Sequence, residues 1–117
     1  MNIWRLNGGK KISYPLADIT DTKEFTVNGQ YENHPFLKDG SQDLDTVSGI
    51  TLLLDDREGG MKQAFFVSIE EVTTLPFTDD EIKNVKVSLV NPRYQYKVNK
   101  NKKLDIDVFA DDYTIAD

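Results

Sequence analysis

Arg93-Tyr-Gln-Tyr-Lys-Val98, Asn99-Lys-Asn-Lys-Lys103, Leu104-Asp-Ile-Asp-Val-Phe109 reads as two strands joined by a polar tip. Folded symmetrically about Asn101, the pattern sets Val98 against Leu104, Tyr96 against Ile106 and Tyr94 against Val108. Lys97 then faces Asp105, Gln95 faces Asp107 and Arg93 faces Phe109. Side chains alternate across a strand, so the first six residues share one sheet face and the second six the other. The apolar face is expected to be core, with Tyr94 and Tyr96 buried rather than displayed. Lys97 is expected to pair with Asp105.

The same period-2 alternation continues outward from this hairpin. Asn84–Val90 is a strand that Asn91-Pro92 breaks, because proline cannot donate to a ladder. Upstream lie Met61–Val72 and Ser48–Asp55, separated by a turn at Glu58-Gly59-Gly60. Glu24–Val27 and Gln30–Glu32 flank Asn28-Gly29, which is the signature of a type I′ hairpin turn. Asn33–Thr46 is polar and turn-rich, hence a loop. Lys11–Leu16 and Asn2–Leu6 are further candidate strands. The one helical signal is Thr78-Asp-Asp-Glu-Ile82, where Thr78 and Glu81 are spaced as a capping box. Ile50, Leu52, Leu54, Val85, Val87, Leu89, Tyr96, Ile106 and Val108 are the expected core. Six to eight short strands and at most one short helix predict a mostly β protein. Its expected form is a small closed or nearly closed barrel, OB-like, because closure protects strand edges. The 117 residues fit a single domain, 1–117.

Charge is divided unevenly. Residues 83–103 carry seven basic side chains (Lys83, Lys86, Arg93, Lys97, Lys100, Lys102, Lys103) and no acidic one, within a chain of net charge −6. The remainder therefore carries −13. A one-signed segment in an oppositely charged chain points to an interaction surface. The lysines of the tip have no carboxylate between them. Two readings stand: a phosphate backbone compensates them by counterion release, or they form a solvated tip that blunts a sheet edge. Aromatics could add base stacking. Phe65 and Phe66, adjacent in a strand, must point to opposite faces, so one is core and the other displayed or covered. Trp4 is read as packing.

Catalytic signatures are missing. His34 is the only histidine and no metal trio surrounds it. Asp43, Asp45, Asp55 and Asp56 do not form an EF-hand loop. Gly8-Gly9 and Gly59-Gly60 lack the ending of a phosphate loop. Asp111-Asp112 has no nucleophile grouped with it. There is no cysteine, which excludes disulfides and thiolate chemistry. No cofactor, no metal and no enzyme activity are expected. Neither a membrane-spanning run nor an apolar leader stretch at Met1–Arg5 is visible, so a soluble cytoplasmic protein is expected.

The C-terminal third, Val85-Lys-Val-Ser-Leu-Val-Asn-Pro-Arg93 followed by Phe109-Ala-Asp-Asp112, resembles a family of small accessory proteins of Gram-positive integrative and conjugative elements and plasmids. Val27-Asn28-Gly29 is also similar; the first 23 residues match nothing in it. The resemblance implies a helicase-processivity-like role in DNA processing and conjugation, beside a relaxase and a helicase, with no catalytic residue carried over. The expected function is weak, sequence-tolerant binding of single-stranded DNA through Lys86, Arg93, Lys97, Lys100, Lys102 and Lys103, or an adaptor between helicase and relaxase. The alternative is an acidic protein–protein inhibitor of phage or mobile-element origin, DNA-mimicking or immunity-type. A phage structural subunit is a third reading. Uncovered edge strands would permit a homodimer.

Overall fold

The computed structural model describes residues 12–78, 81–82 and 84–116. Eight strands form one curled sheet: β1 (Tyr14–Pro15), β2 (Phe25–Asn33), β3 (Gly49–Asp55), β4 (Ala64–Ile69), β5 (Lys86–Val90), β6 (Arg93–Val98), β7 (Leu104–Phe109) and β8 (Asp112–Ile115). Their order is β1-β6-β7-β4-β3-β2-β5-β8. A three-residue 3-10 turn, Leu16–Asp18, follows β1.

The hairpin at the centre of the sequence reading has the expected register, from Arg93↔Phe109 to Val98↔Leu104. The ladder does not stop there. Beyond Asn91-Pro92 it resumes without a shift, from Val90↔Asp112 to Val87↔Ile115. The chain from Lys86 to Val98 is thus one bent arm, and that from Leu104 to Ile115 is its partner. β7 runs parallel to β4, with Val67↔Val108, while β5 pairs antiparallel with β2, with Phe25↔Val87. With each bent arm taken as one strand, the neighbours run β2, β3, β4, β7/β8, β6/β5 and back to β2. That order is consistent with a small, nearly closed barrel and compatible with an OB-like one.

Its interior follows the alternation of each strand. Ile50, Leu52, Leu54, Val67, Ile69 and Val87 have no exposed surface, and Phe25, Phe65, Tyr94 and Val108 are buried around them. Phe25 and Phe65 meet edge to face at 5.3 Å. Leu16 is buried from the 3-10 turn, whose backbone is tied to the arm by a bond from the Leu16 N–H to the Pro92 carbonyl at 3.0 Å. In the connection from β4 to β5, Phe77 is buried and held by Gln30, whose amide both accepts from the Phe77 N–H and donates to its carbonyl.

Several sequence expectations are corrected. Asn28-Gly29 makes no turn. The chain runs through it in β2, and the pairing slips from Val27↔Leu54 to Gly29↔Leu53, leaving Asn28 as a bulge. Pairing with β3 on both sides of the bulge outweighs the local turn preference. Tyr96 is 49% exposed rather than core. The arm continues past the barrel, so its inner face is covered at Tyr94 and Val108, in part at Ile106, and open at Val98 and Leu104. Val85, Leu89 and Ile106 are partly buried, packed at the margin of the core. The strand expected at Met61–Val72 is confined to Ala64–Ile69, and of that expected at Lys11–Leu16 the described residues, which leave out Lys11, form strand at Tyr14–Pro15. Thr78 and Glu81 do exchange the capping-box bonds, at 3.3 and 3.2 Å, but the described residues there form a turn, not a helix. Asn2–Leu6, Trp4 and Lys83 lie outside the described residues.

Candidate nucleic-acid interface

The outer face of the sheet is set by the same alternation that fills the core. On β4, Phe65 points in and Phe66 points out, 57% exposed. Tyr31 on β2 is outward as well, 50% exposed, and meets Phe66 edge to face at 6.1 Å. Sequence alternation alone would have placed Tyr31 inside with Phe25 and Val27. The bulge at Asn28 reverses the parity, so Gln30 faces inward opposite Leu52 and Tyr31 faces outward opposite Thr51. The signal was the Asn-Gly pair, read as a turn instead of a bulge.

Beside Phe66, a shallow groove of about 230 Å³ is bordered by Lys97, Asp105, Ile106 and Asp107. Lys97 bonds Asp107 at 2.7 Å, diagonally across the ladder, although Asp105 is its directly opposed residue. The hydrogen bond and charge of Asp107 hold the Lys97 ammonium above its ordinary pKa. Arg93 is also neutralised. Its guanidinium bonds Asp111 at 2.7 Å and lies over the Phe109 ring, 4.8 Å from the centroid. Asp111 further accepts from the Asn91 amide at 3.0 Å. Asp111 is thus a clamp on the bend between β5 and β6. Asp112 opens β8 opposite Val90.

The tip is different. The Asn99 carboxamide oxygen accepts from the Asn101 and Lys103 N–H groups, at 2.9 and 3.0 Å. The Asn99 N–H donates to the Lys103 carbonyl and the Lys102 N–H to the Asn99 carbonyl, both at 2.9 Å. Lys102 sits in the left-handed region at φ 60°. This frame holds Lys100, Lys102 and Lys103 in solvent, all exposed, and none of them pairs with a carboxylate among the described residues. Lys86 is exposed too, but it stands at the far end of the bent arm, up to roughly 40 Å of strand from the tip. It pairs with Thr26, which borders an acidic hollow with Asp21, Glu24, Asp55 and Glu58. The six candidate residues therefore divide three ways: a lysine tip, two neutralised cations on the outer face, and one lysine beside an acidic wall.

Among the described residues, no group of three or more acidic or histidine side chains is placed to hold a metal. His34 is engaged with the Thr46 carbonyl at 2.7 Å. No described helix is long and apolar enough to cross a membrane. Neither family models, nor curated proteins, nor solved structures give a match to this chain.

Proposed function

We propose that this chain is a non-enzymatic accessory protein of DNA processing in a mobile element, which binds single-stranded nucleic acid weakly and with little sequence preference. The observation that carries the reading is the tip. Three lysines are held in solvent without a carboxylate partner among the described residues, while Arg93 and Lys97 are neutralised inside the protein. The outward Tyr31–Phe66 pair supports it, since every base offers a face for stacking, worth about 1–3 kcal/mol per base. The resemblance of Val85–Arg93 and Phe109–Asp112 to conjugative-element accessory proteins supplies the context, including a helicase or relaxase as protein partner. Arg93 and Lys97 act here as supports for the sheet surface, and the phosphate contacts fall to Lys100, Lys102 and Lys103.

Fluorescence anisotropy with a labelled single-stranded oligonucleotide, titrated across salt concentrations, tests this. Log affinity should fall against log salt by about 0.7 per phosphate neutralised. Replacing all three tip lysines with alanine should lower that slope by about 2. Phe66→Ala should weaken binding by about 1–3 kcal/mol while leaving the slope in place. If wild type binds no oligonucleotide at low salt, the acidic reading takes over. The hollow at Asp21, Glu24 and Glu58, in which Arg57 neutralises Asp55, favours that reading, as a surface that covers a basic partner.

A further inference from the structure

Two displayed apolar surfaces have no part in the stacking pair, and the second adjoins the lysine tip. The first is the loop between β2 and β3, whose shape is held by polar groups. The Leu37 N–H donates to the Ser41 carbonyl at 2.7 Å and the Asp43 N–H to the Pro35 carbonyl at 2.9 Å. Asp39 accepts from the Ser41 N–H and hydroxyl, and Asp43 from the Asp45 N–H and the Thr46 hydroxyl. None of these bonds needs an apolar side chain. Yet Phe36 is 73% exposed, Leu44 69% and Leu37 50%. One exposed leucine is ordinary. Three large apolar side chains on a loop ordered by other means are a displayed surface. Asp39, Asp43 and Asp45 stand among them, against Lys38 alone.

The second surface is the free end of the arm. Val98 is 69% exposed, Leu104 70% and Tyr96 49%, and Lys100, Lys102 and Lys103 follow at the tip. The two surfaces are at opposite ends of the strands. The loop enters β3 where β4 ends, as Ile50↔Ile69 shows. The tip precedes β7, which runs parallel to β4, so it lies where β4 begins.

We propose that the loop of one copy docks on the arm of a second copy, head to tail. Phe36, Leu37 and Leu44 cover Tyr96, Val98 and Leu104, and the loop aspartates face the tip lysines. The two surfaces are complementary: alike in apolar content, opposite in charge, and on opposite ends of one molecule. Such a contact is heterologous and leaves a loop and an arm open at the two ends of every unclosed assembly, so it propagates until its rotation closes a ring. The patches are small, which places the affinity between micromolar and millimolar, and the charges make it salt-sensitive. The inference goes beyond the nucleic-acid reading and does not depend on it.

Sedimentation velocity on the protein free of nucleic acid tests it. At low salt the average mass should climb with concentration from 13.3 kDa, passing the dimer without a plateau, and should return to monomer at high salt. Phe36→Ser with Leu44→Ser in the loop should give a monomer. Lys100→Glu with Lys103→Glu at the tip should do the same. Mixed in equal amounts, the two variants should form a dimer and nothing larger, because the mixture contains one intact loop and one intact arm per pair. Circular dichroism reports whether each variant keeps its fold. Should the loop variant unfold, Asp45→Lys replaces it, since the Asp45 carboxylate holds no hydrogen bond among the described residues. A wild type that stays at monomer mass up to millimolar concentration overturns the proposal. So does a dimer plateau insensitive to both variants, or a mixture that remains monomeric.

Discussion

Asp56 is a charged side chain in a place that ought to reject charge: it is 4% exposed. It is held by the donors around it. One oxygen accepts from the Thr22 hydroxyl at 2.6 Å and the other from the Met61 N–H at 3.0 Å. Thr20 extends the node by accepting from the Gly60 N–H at 3.1 Å. Burial pushes the Asp56 carboxyl up, but the bonds from Thr22 and Met61 outweigh it and hold the pKa below its ordinary value. A carboxyl with a depressed folded pKa contributes stability above its unfolded pKa, about 4, and that contribution is lost as pH falls through the folded value. Asp56→Asn should therefore lower stability at neutral pH by about 1–3 kcal/mol. Urea denaturation should show the deficit shrinking as the solution is acidified below the carboxylate range. A deficit that is equal at neutral and acid pH would contradict this account. The same node explains Gly59 and Gly60. A Cβ on Gly59 would strike the Asp56 carboxylate, and one on Gly60 the Ile19 carbonyl. The glycine pair was legible in the sequence as a turn. The close packing against residues 19–22 was not, because those residues are far away in the chain.

At the scale of elements, the arm shows what alternation can and cannot settle. Its register was readable because Arg93–Val98 and Leu104–Phe109 are neighbours in sequence, so one turn aligns them. Its burial was not readable, because alternation names a face and not where the barrel ends. Leu52 and Ile106 make the difference measurable. Leu52 has no exposed surface and lies between two strands, opposite Gln30 and Val67. Ile106 packs only at the margin. Leu52→Ala should cost about 2–5 kcal/mol, and Ile106→Ala clearly less. Equal losses on chemical denaturation would mean that the arm is covered in solution. The tip separates structure from charge. Lys102 adopts φ 60°, where a side chain costs roughly 1–2 kcal/mol that glycine avoids. Lys102→Gly should therefore raise thermal stability while removing one cation from the salt dependence of oligonucleotide binding. A lysine there that glycine fails to improve would indicate that its side chain makes a structural contact.

At the scale of the whole molecule, the barrel is a meander closed by a bent hairpin, and its pairings are unequal. β2 and β3 pair from Thr26↔Asp55 to Asn33↔Gly49, and β3 and β4 from Ile50↔Ile69 to Asp55↔Ala64. The seams that close the barrel are short. β2 meets β5 only at Phe25↔Val87 and Thr26↔Lys86, and β4 meets β7 only at Val67↔Val108 and Ser68↔Phe109. One backbone bond extends each seam, from the Val27 N–H to the Val85 carbonyl and from the Ala110 N–H to the Ser68 carbonyl. Local opening follows the weakest pairing, since amides are freed in cooperative units ranging from frayed segments to the whole fold. The hairpin is thus expected to open as a unit, hinged at the clamp that Asp111 makes with Asn91 and Arg93. Native-state hydrogen exchange should find β3, paired on both sides along its length, among the slowest amides. The seam amides of Val27 and Ala110 should exchange faster, together and with a smaller denaturant dependence than global unfolding. Arg93→Ala, which releases Asp111, should accelerate the seam amides more than those of β3. If all these amides exchange only through global unfolding, and Arg93→Ala speeds them equally, the barrel is a single cooperative unit and the short seams are not its points of opening.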